Sequence, residues 1–194
     1  MRDARTVVNR FLSLMTWCDD QFAVAQDGWA GNPVPTPVPR RNLAFTTAHH
    51  WVFDRKIPTD DDVLRALALY REGRNAEQNY LVSFAVLNYY KIIEIRTNET
   101  IKWLEGAFPL VEKKLRDDVL RIFHMERGTL SVGRHIVAYY RTAVAHALET
   151  TVRSDPDCAD EARRLHIGAE ILRELARHFI SAELKVSDSP YSGD

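Results

Sequence analysis

The sequence predicts an all-α, up-and-down helical bundle. Apolar residues recur at helical spacing through most of the chain, the connections between those stretches are short, and strand-like alternation is confined to one Pro-rich segment. The chain has 194 residues and a mass of 22.3 kDa, with 45% hydrophobic and 27% charged residues. That composition suits one folded domain with a decorated end, and excludes a disordered chain, a collagen-like repeat or a disulfide-stapled miniprotein.

Taken in order, Arg2 to Trp17 places Val7, Val8, Phe11, Leu12, Leu14 and Met15 at helical spacing. From Cys18 to Pro58 the character changes. Pro33, Pro35, Pro37 and Pro39 alternate, which fixes φ and removes backbone donors, so an extended loop is expected there, with Leu43 to Thr47 able to pair as a short strand. A Pro-rich docking segment is the sharper reading and a loop wrapping the core the plainer one. Thr59, before Asp60, Asp61 and Asp62, reads as a helix N-cap followed by acids in the first turn; the alternative is an acidic metal cluster. This helix should pause near Gly73. Tyr80 to Arg96 is apolar almost all round, as expected of a central helix. A third helix is read over Pro109 to Met125, broken by Gly128, a fourth over Leu130 to Thr150, and a last over Asp160 to Val186, entered through Asp155-Pro156. Residues 1–58 are thus read as a helix and extended loop packed on the bundle, 59–186 as the bundle, and 187–194 as a flexible tail.

Charge and motif content narrow the function classes. The formal net charge is -1, so the chain lacks the basic excess by which proteins coat nucleic acid through bulk charge. Neither a phosphate-binding G-x-x-x-x-G-K-[ST] loop nor a G-x-G-x-x-G turn is present. Two cysteines in no ligand-like spacing, no signal-like start and no membrane-length apolar run lead to an expected cytoplasmic location without a membrane partner. Positive charge is nonetheless concentrated between Leu110 and Arg141, where Lys113, Lys114, Arg116, Arg121, Arg127, Arg134 and Arg141 outnumber Glu112, Asp117, Asp118 and Glu126. A phosphate-bearing ligand would meet that region; a solvated helix face is the plainer reading.

On a regular helix at about 100° per residue, His135, Tyr139, Thr142 and His146 form one stripe, Arg134, Ala138, Arg141 and Ala145 an adjacent one, and Val137, Tyr140, Val144 and Leu148 an apolar seam. Arg141 and His146 are then about 140° and about 7.5 Å apart, too far to converge unless a second surface closes over them. The residue types suit metal-free RNA cleavage. An imidazole can move a proton near neutrality, and a guanidinium can stabilise the charge of a phosphorane formed when the ribose 2′-hydroxyl attacks its own phosphate. Arg173 and His178 share the spacing on the last helix. They are expected to serve packing, with substitution there leaving any RNA-dependent activity intact.

The segment Tyr139 to Ala147, YYRTAVAHA, resembles the R-x4-6-H signature of the HEPN superfamily, helical bundles many of which are metal-independent ribonucleases. LALYREGRNAE (Leu67 to Glu77) and FAVLNYYKIIEIR (Phe84 to Arg96) resemble a bacterial HEPN-related family named for methylamine utilisation (MauJ-like). The resemblance covers roughly Thr59 to Ile180. It implies a homodimer in which two motifs meet as a composite cleft acting on RNA or a nucleotide. Arg141 would bind phosphate, His146 would be the general acid/base, and Glu94 is the best match to a carboxylate that some relatives add. Arg134, His135, Tyr139 and Thr142 would support the substrate, with no cofactor and no metal, and an antitoxin or operon partner fits the same reading. Thr142 stands where catalytic relatives often have Asn or Asp, and Leu148 where some carry a modified tyrosine. The alternative is a non-catalytic module of the same type that binds a nucleotide or protein.

Other constellations point less far. His49 and His50 with Asp54 can bind a metal, although adjacent loop histidines seldom share an ion. Cys18 and Cys158 have no His pattern for nucleophilic catalysis. Trp17, Trp29, Trp51 and Trp103 can stack bases, but three of them lie in or beside the loop region and are better read as pinning it to the bundle, and Tyr89 and Tyr90 as helix core. Small Ala138, Ala143, Ala145 and Ala147 beside Tyr139 make the fourth helix the expected dimer contact.

Overall fold

The computed structural model describes residues 2–24, 57–146, 155 and 157–187. Within them the chain is an all-α bundle, as the periodicity predicts. The Pro-rich segment, Trp29, Trp51, the His49-His50-Asp54 group and Leu148 lie outside the described residues.

Helix α1 (Arg2–Asp19) packs on α2 (Asp61–Gln78). Trp17 is fully buried there, its indole N–H donating to the Ser187 carbonyl at 2.9 Å. The N-cap of α2 is Asp60, not Thr59: its Oδ1 accepts from the Val63 N–H at 3.0 Å. Asp60 and Asp62 also face Arg96, with Asp62 Oδ2 at 2.7 Å, so the acidic run caps a helix and pairs across to the next one. The expected pause at Gly73 does not occur. Gly73 sits inside α2 because the Tyr89 ring lies flat against it; a Cβ there would stand 2.4 Å from Tyr89 Cε1.

Helix α3 (Val82–Ile93) is shorter than the apolar run. Tyr80 takes φ 58°, breaking the chain direction between α2 and α3, and is exposed together with Leu81. Buried Ala85, Val86, Tyr89, Ile92 and Ile93 make α3 the centre of the bundle, packed on α2 and on the last helix.

Helix α4 (Thr100–Val111) corrects the third expected helix. Pro109, read as an initiating proline, lies near the end of α4, where one lost intrahelical bond is tolerated because the helix stops at Val111. A 3₁₀ turn (Glu112–Lys114) leads to α5 (Asp117–Arg127), which Gly128 closes with φ 56°.

The fourth expected helix, α6, spans 132–145 and is irregular. It is α-helical over Val132–His135, π-helical over Ile136–Thr142, and α-helical again over Ala143–Ala145. Its start is fastened to α4: the Gly133 N–H donates to Glu105 Oε1 at 2.9 Å, and a Cβ at Gly133 would meet the Ile101 carbonyl oxygen at 2.6 Å. Helix α7 (Ala159–Ala182) ends before Val186, where Lys185 takes φ 58°. Its Gly168 leaves room for the Tyr140 ring; a Cβ would lie 2.6 Å from Tyr140 Cδ1. No helix among the described residues is long and apolar enough to cross a membrane.

Candidate functional site

The π-helical stretch of α6 rearranges the expected stripes. Bonding between residues five apart brings i and i+5 onto one face, whereas in an α-helix they diverge. His135 and Tyr140 therefore both point inward and are fully buried, their rings 5.3 Å apart edge to face. The wheel placed His135 on an outer stripe; it is instead a core residue. Phe123 lies 5.2 Å from it, and half-buried Tyr139 stacks on it at 4.6 Å. Neither ring nitrogen has a hydrogen-bond partner. Burial, with Arg127 and Arg164 nearby, lowers its pKa to about 4. A neutral, enclosed imidazole cannot touch a substrate in this conformation.

The helix ends at His146, whose backbone is extended (φ -134°, ψ 134°) while its N–H still donates to the Thr142 carbonyl at 3.1 Å. Changing φ rotates the imidazole about N–Cα, out of helical register. Arg141 Nη1 and His146 Nε2 thus come within 3.4 Å inside one chain, correcting the expectation that the pair needs a second surface to converge. With guanidinium as donor, Nε2 is the acceptor and the ring proton lies on Nδ1.

The same guanidinium turns to the C-terminal cap of α3, where Arg141 Nη2 lies 3.9 Å from Glu94 Oε1. Glu94 and His146 are exposed and Arg141 is half-buried, so this loose ion pair contributes little stability. It does bring Glu94, Arg141 and His146 to one accessible surface from two helices. Thr142 is half-buried on the same turn and Arg134 is exposed near the start of α6. Tyr90, one turn before Glu94, is buried. Its pKa is raised by burial and by Glu94, against the opposing pull of a Thr100 hydrogen bond and of Arg141. Apolar patterning gives no sign that this core tyrosine borders the site.

Arg173 and His178 do not meet in the same way. Arg173 faces Glu77 and Glu174, and the His178 ring lies 6.2 Å from Trp103, whose indole N–H donates to Glu183 at 3.2 Å. Cys18 and Cys158 are half-buried and form no disulfide. Among the described residues no three His, Cys, Asp or Glu side chains are grouped to hold a metal ion.

The model of the family described as methylamine utilization protein MauJ matches residues 66–181, from α2 to the end of α7. The chain belongs to the MauJ family. The match contains every part of the Glu94, Arg141 and His146 arrangement, so the cluster lies within the MauJ region and not in the N-terminal extension. No curated protein and no solved structure matches this MauJ-family chain.

Proposed function

We propose that this chain is a metal-independent endoribonuclease of HEPN type that works as a homodimer. The observation that carries the reading is the Glu94–Arg141–His146 contact set on an accessible face, held by the end of α3 and the π-helical part of α6. π-Helical turns are rare and occur frequently at functional sites.

In this reading His146 takes the proton of a ribose 2′-hydroxyl through Nε2. The 2′-oxygen bonds to the adjacent phosphorus, and the bond to the 5′-oxygen breaks. Arg141 shifts from His146 onto the phosphate oxygens and stabilises the phosphorane, while Glu94 keeps the guanidinium turned to the site. The second His146, across the two-fold axis, supplies the proton to the leaving 5′-oxygen. The products are a 2′,3′-cyclic phosphate and a 5′-hydroxyl.

The second reading, a binding module without chemistry, is favoured by the guanidinium already being engaged by Glu94. Incubation with mixed RNA in EDTA separates the two. The ribonuclease yields 2′,3′-cyclic ends, and His146→Ala lowers the rate by about 100-fold or more. Intact RNA, or cleavage that survives His146→Ala, would overturn the proposal. Light scattering at micromolar concentration tests the dimer, whose contact through α6 should bury at least ~1,000 Å².

A further inference from the structure

The central helix of the bundle leaves one side uncovered. Opposite its buried residues, α3 carries Phe84 and Lys91, both exposed, and ends at the exposed Glu94 cap. At about 100° per residue, Phe84 and Lys91 differ by about 20° around the helix axis, and Lys91 and Glu94 by about 60°, so the three share one side. Phe84 is 61% exposed, and Tyr80 and Leu81, in the turn that enters the helix, are exposed with it. Three large apolar groups within five residues are left in water by a helix whose other side is the core, which marks a binding surface.

The charge on this side identifies the occupant. Lys91 makes no ion pair or hydrogen bond among the described residues. A free ammonium therefore stands between the apolar end of the face and the Glu94–Arg141–His146 cluster at the other end. Single-stranded nucleic acid matches that order, because its bases stack on rings while its phosphates meet cations. A protein helix laid on the same face would bury the ammonium unless it brought an acid to it, whereas every nucleotide brings a phosphate. The spacing agrees. Phe84 lies about 15 Å of helical rise from Glu94, and Lys91 about 4.5 Å. A stacked strand advances ~3.4 Å per nucleotide, so Lys91 is about one nucleotide and Phe84 about four from a phosphate held at Arg141.

We propose that the outer face of α3 is the track along which single-stranded RNA reaches the site: Lys91 takes the phosphate next to the one at Arg141, and Phe84 stacks a base farther along the strand. The inference rests on the ribonuclease reading and deepens it, since it names the form of the substrate. A duplex keeps its bases paired and stacked inside and offers none to the Phe84 ring, so the track selects unpaired RNA.

The test titrates the full chain with fluorescein-labelled 2′-O-methyl decaadenylate, followed by anisotropy at several salt concentrations. Saturable binding is expected, and the same strand annealed to its complement should bind more weakly. F84L stays apolar but loses the ring, so affinity should fall about ten-fold with the far-UV spectrum unchanged, whereas F84W should keep it. K91A should reduce the slope of log affinity against log salt by about 0.7, the share of one phosphate contact on a single strand. No saturable binding, as for a face that receives a protein, tighter binding of the duplex, unchanged affinity in folded F84L, or an unchanged salt slope in K91A would each overturn the proposal. The ligand has no free 2′-hydroxyl, so these results do not depend on cleavage. Binding that follows Phe84 and Lys91 while RNA stays intact in EDTA upholds the track and overturns the ribonuclease alone; cleavage with unaltered binding in both variants overturns the track alone.

Discussion

Acid should unfold this protein partly through one residue, His135. Its imidazole is enclosed by Phe123, Tyr139 and Tyr140 with both nitrogens unpartnered, and its pKa is lowered from 6.5 to about 4 by burial and the nearby Arg127 and Arg164. The unfolded chain takes up this proton at higher pH than the folded one, so lowering the pH draws the equilibrium toward the unfolded state. The contribution is fully present above about pH 6.5 and is lost as the pH falls toward 4. One pKa unit corresponds to about 1.4 kcal/mol, so the whole effect is about 3 kcal/mol, with about 2 kcal/mol already lost at pH 5. Urea denaturation of the wild type and His135→Leu between pH 7.5 and 5 measures it. The leucine form, which buries no unpaired nitrogen, should lose less stability over that interval by about 2 kcal/mol. The other histidines cancel in the difference. Equal pH dependence in the two proteins would falsify the assignment of His135 as an interior neutral residue.

Three further perturbations test the packing. Gly73→Ala forces a methyl group into the Tyr89 ring, 2.4 Å away, and should cost about 1–3 kcal/mol or more in a denaturation experiment. Asp60→Ala removes the side-chain cap of α2 and one partner of Arg96, and thermal melting should show a loss of about 1 kcal/mol. Tyr80→Gly acts in the opposite direction: the residue is 82% exposed at φ 58°, so relieving the left-handed strain should stabilise the fold by up to about 1 kcal/mol.

Much of the architecture was legible because it depends on local pattern. The apolar spacing in α1, α2, α3 and α7 identifies helices without reference to any partner, and Gly128 ends α5 through its own conformational freedom. Boundaries were legible only where the signal is carried within a turn. Thr59 and Asp60 both offer a capping side chain, and the choice shows only in the Asp60 bond to the Val63 N–H, whereas the uninterrupted passage of α2 through Gly73 depends on what lies opposite. Gly73 could be told from a helix breaker only once Tyr89 was seen packed against it.

The candidate site divides along the same line. Side-chain chemistry and spacing offered both Arg141 with His146 and Arg173 with His178; the family resemblance singled out the first pair and supplied Glu94. Their geometry could not be read in this way. A helical wheel assumes one period, and that period fails where Ile136–Thr142 widens into a π-helix to seat Tyr140 against Gly168 and His135 against Phe123. The widening exchanges an expected surface histidine for a core one, and the extended backbone at His146 turns the imidazole onto Arg141. Periodicity and side-chain chemistry are properties of neighbours along the chain; helix irregularity, burial and the company a charge keeps are set by neighbours in space, which only the folded structure brings together.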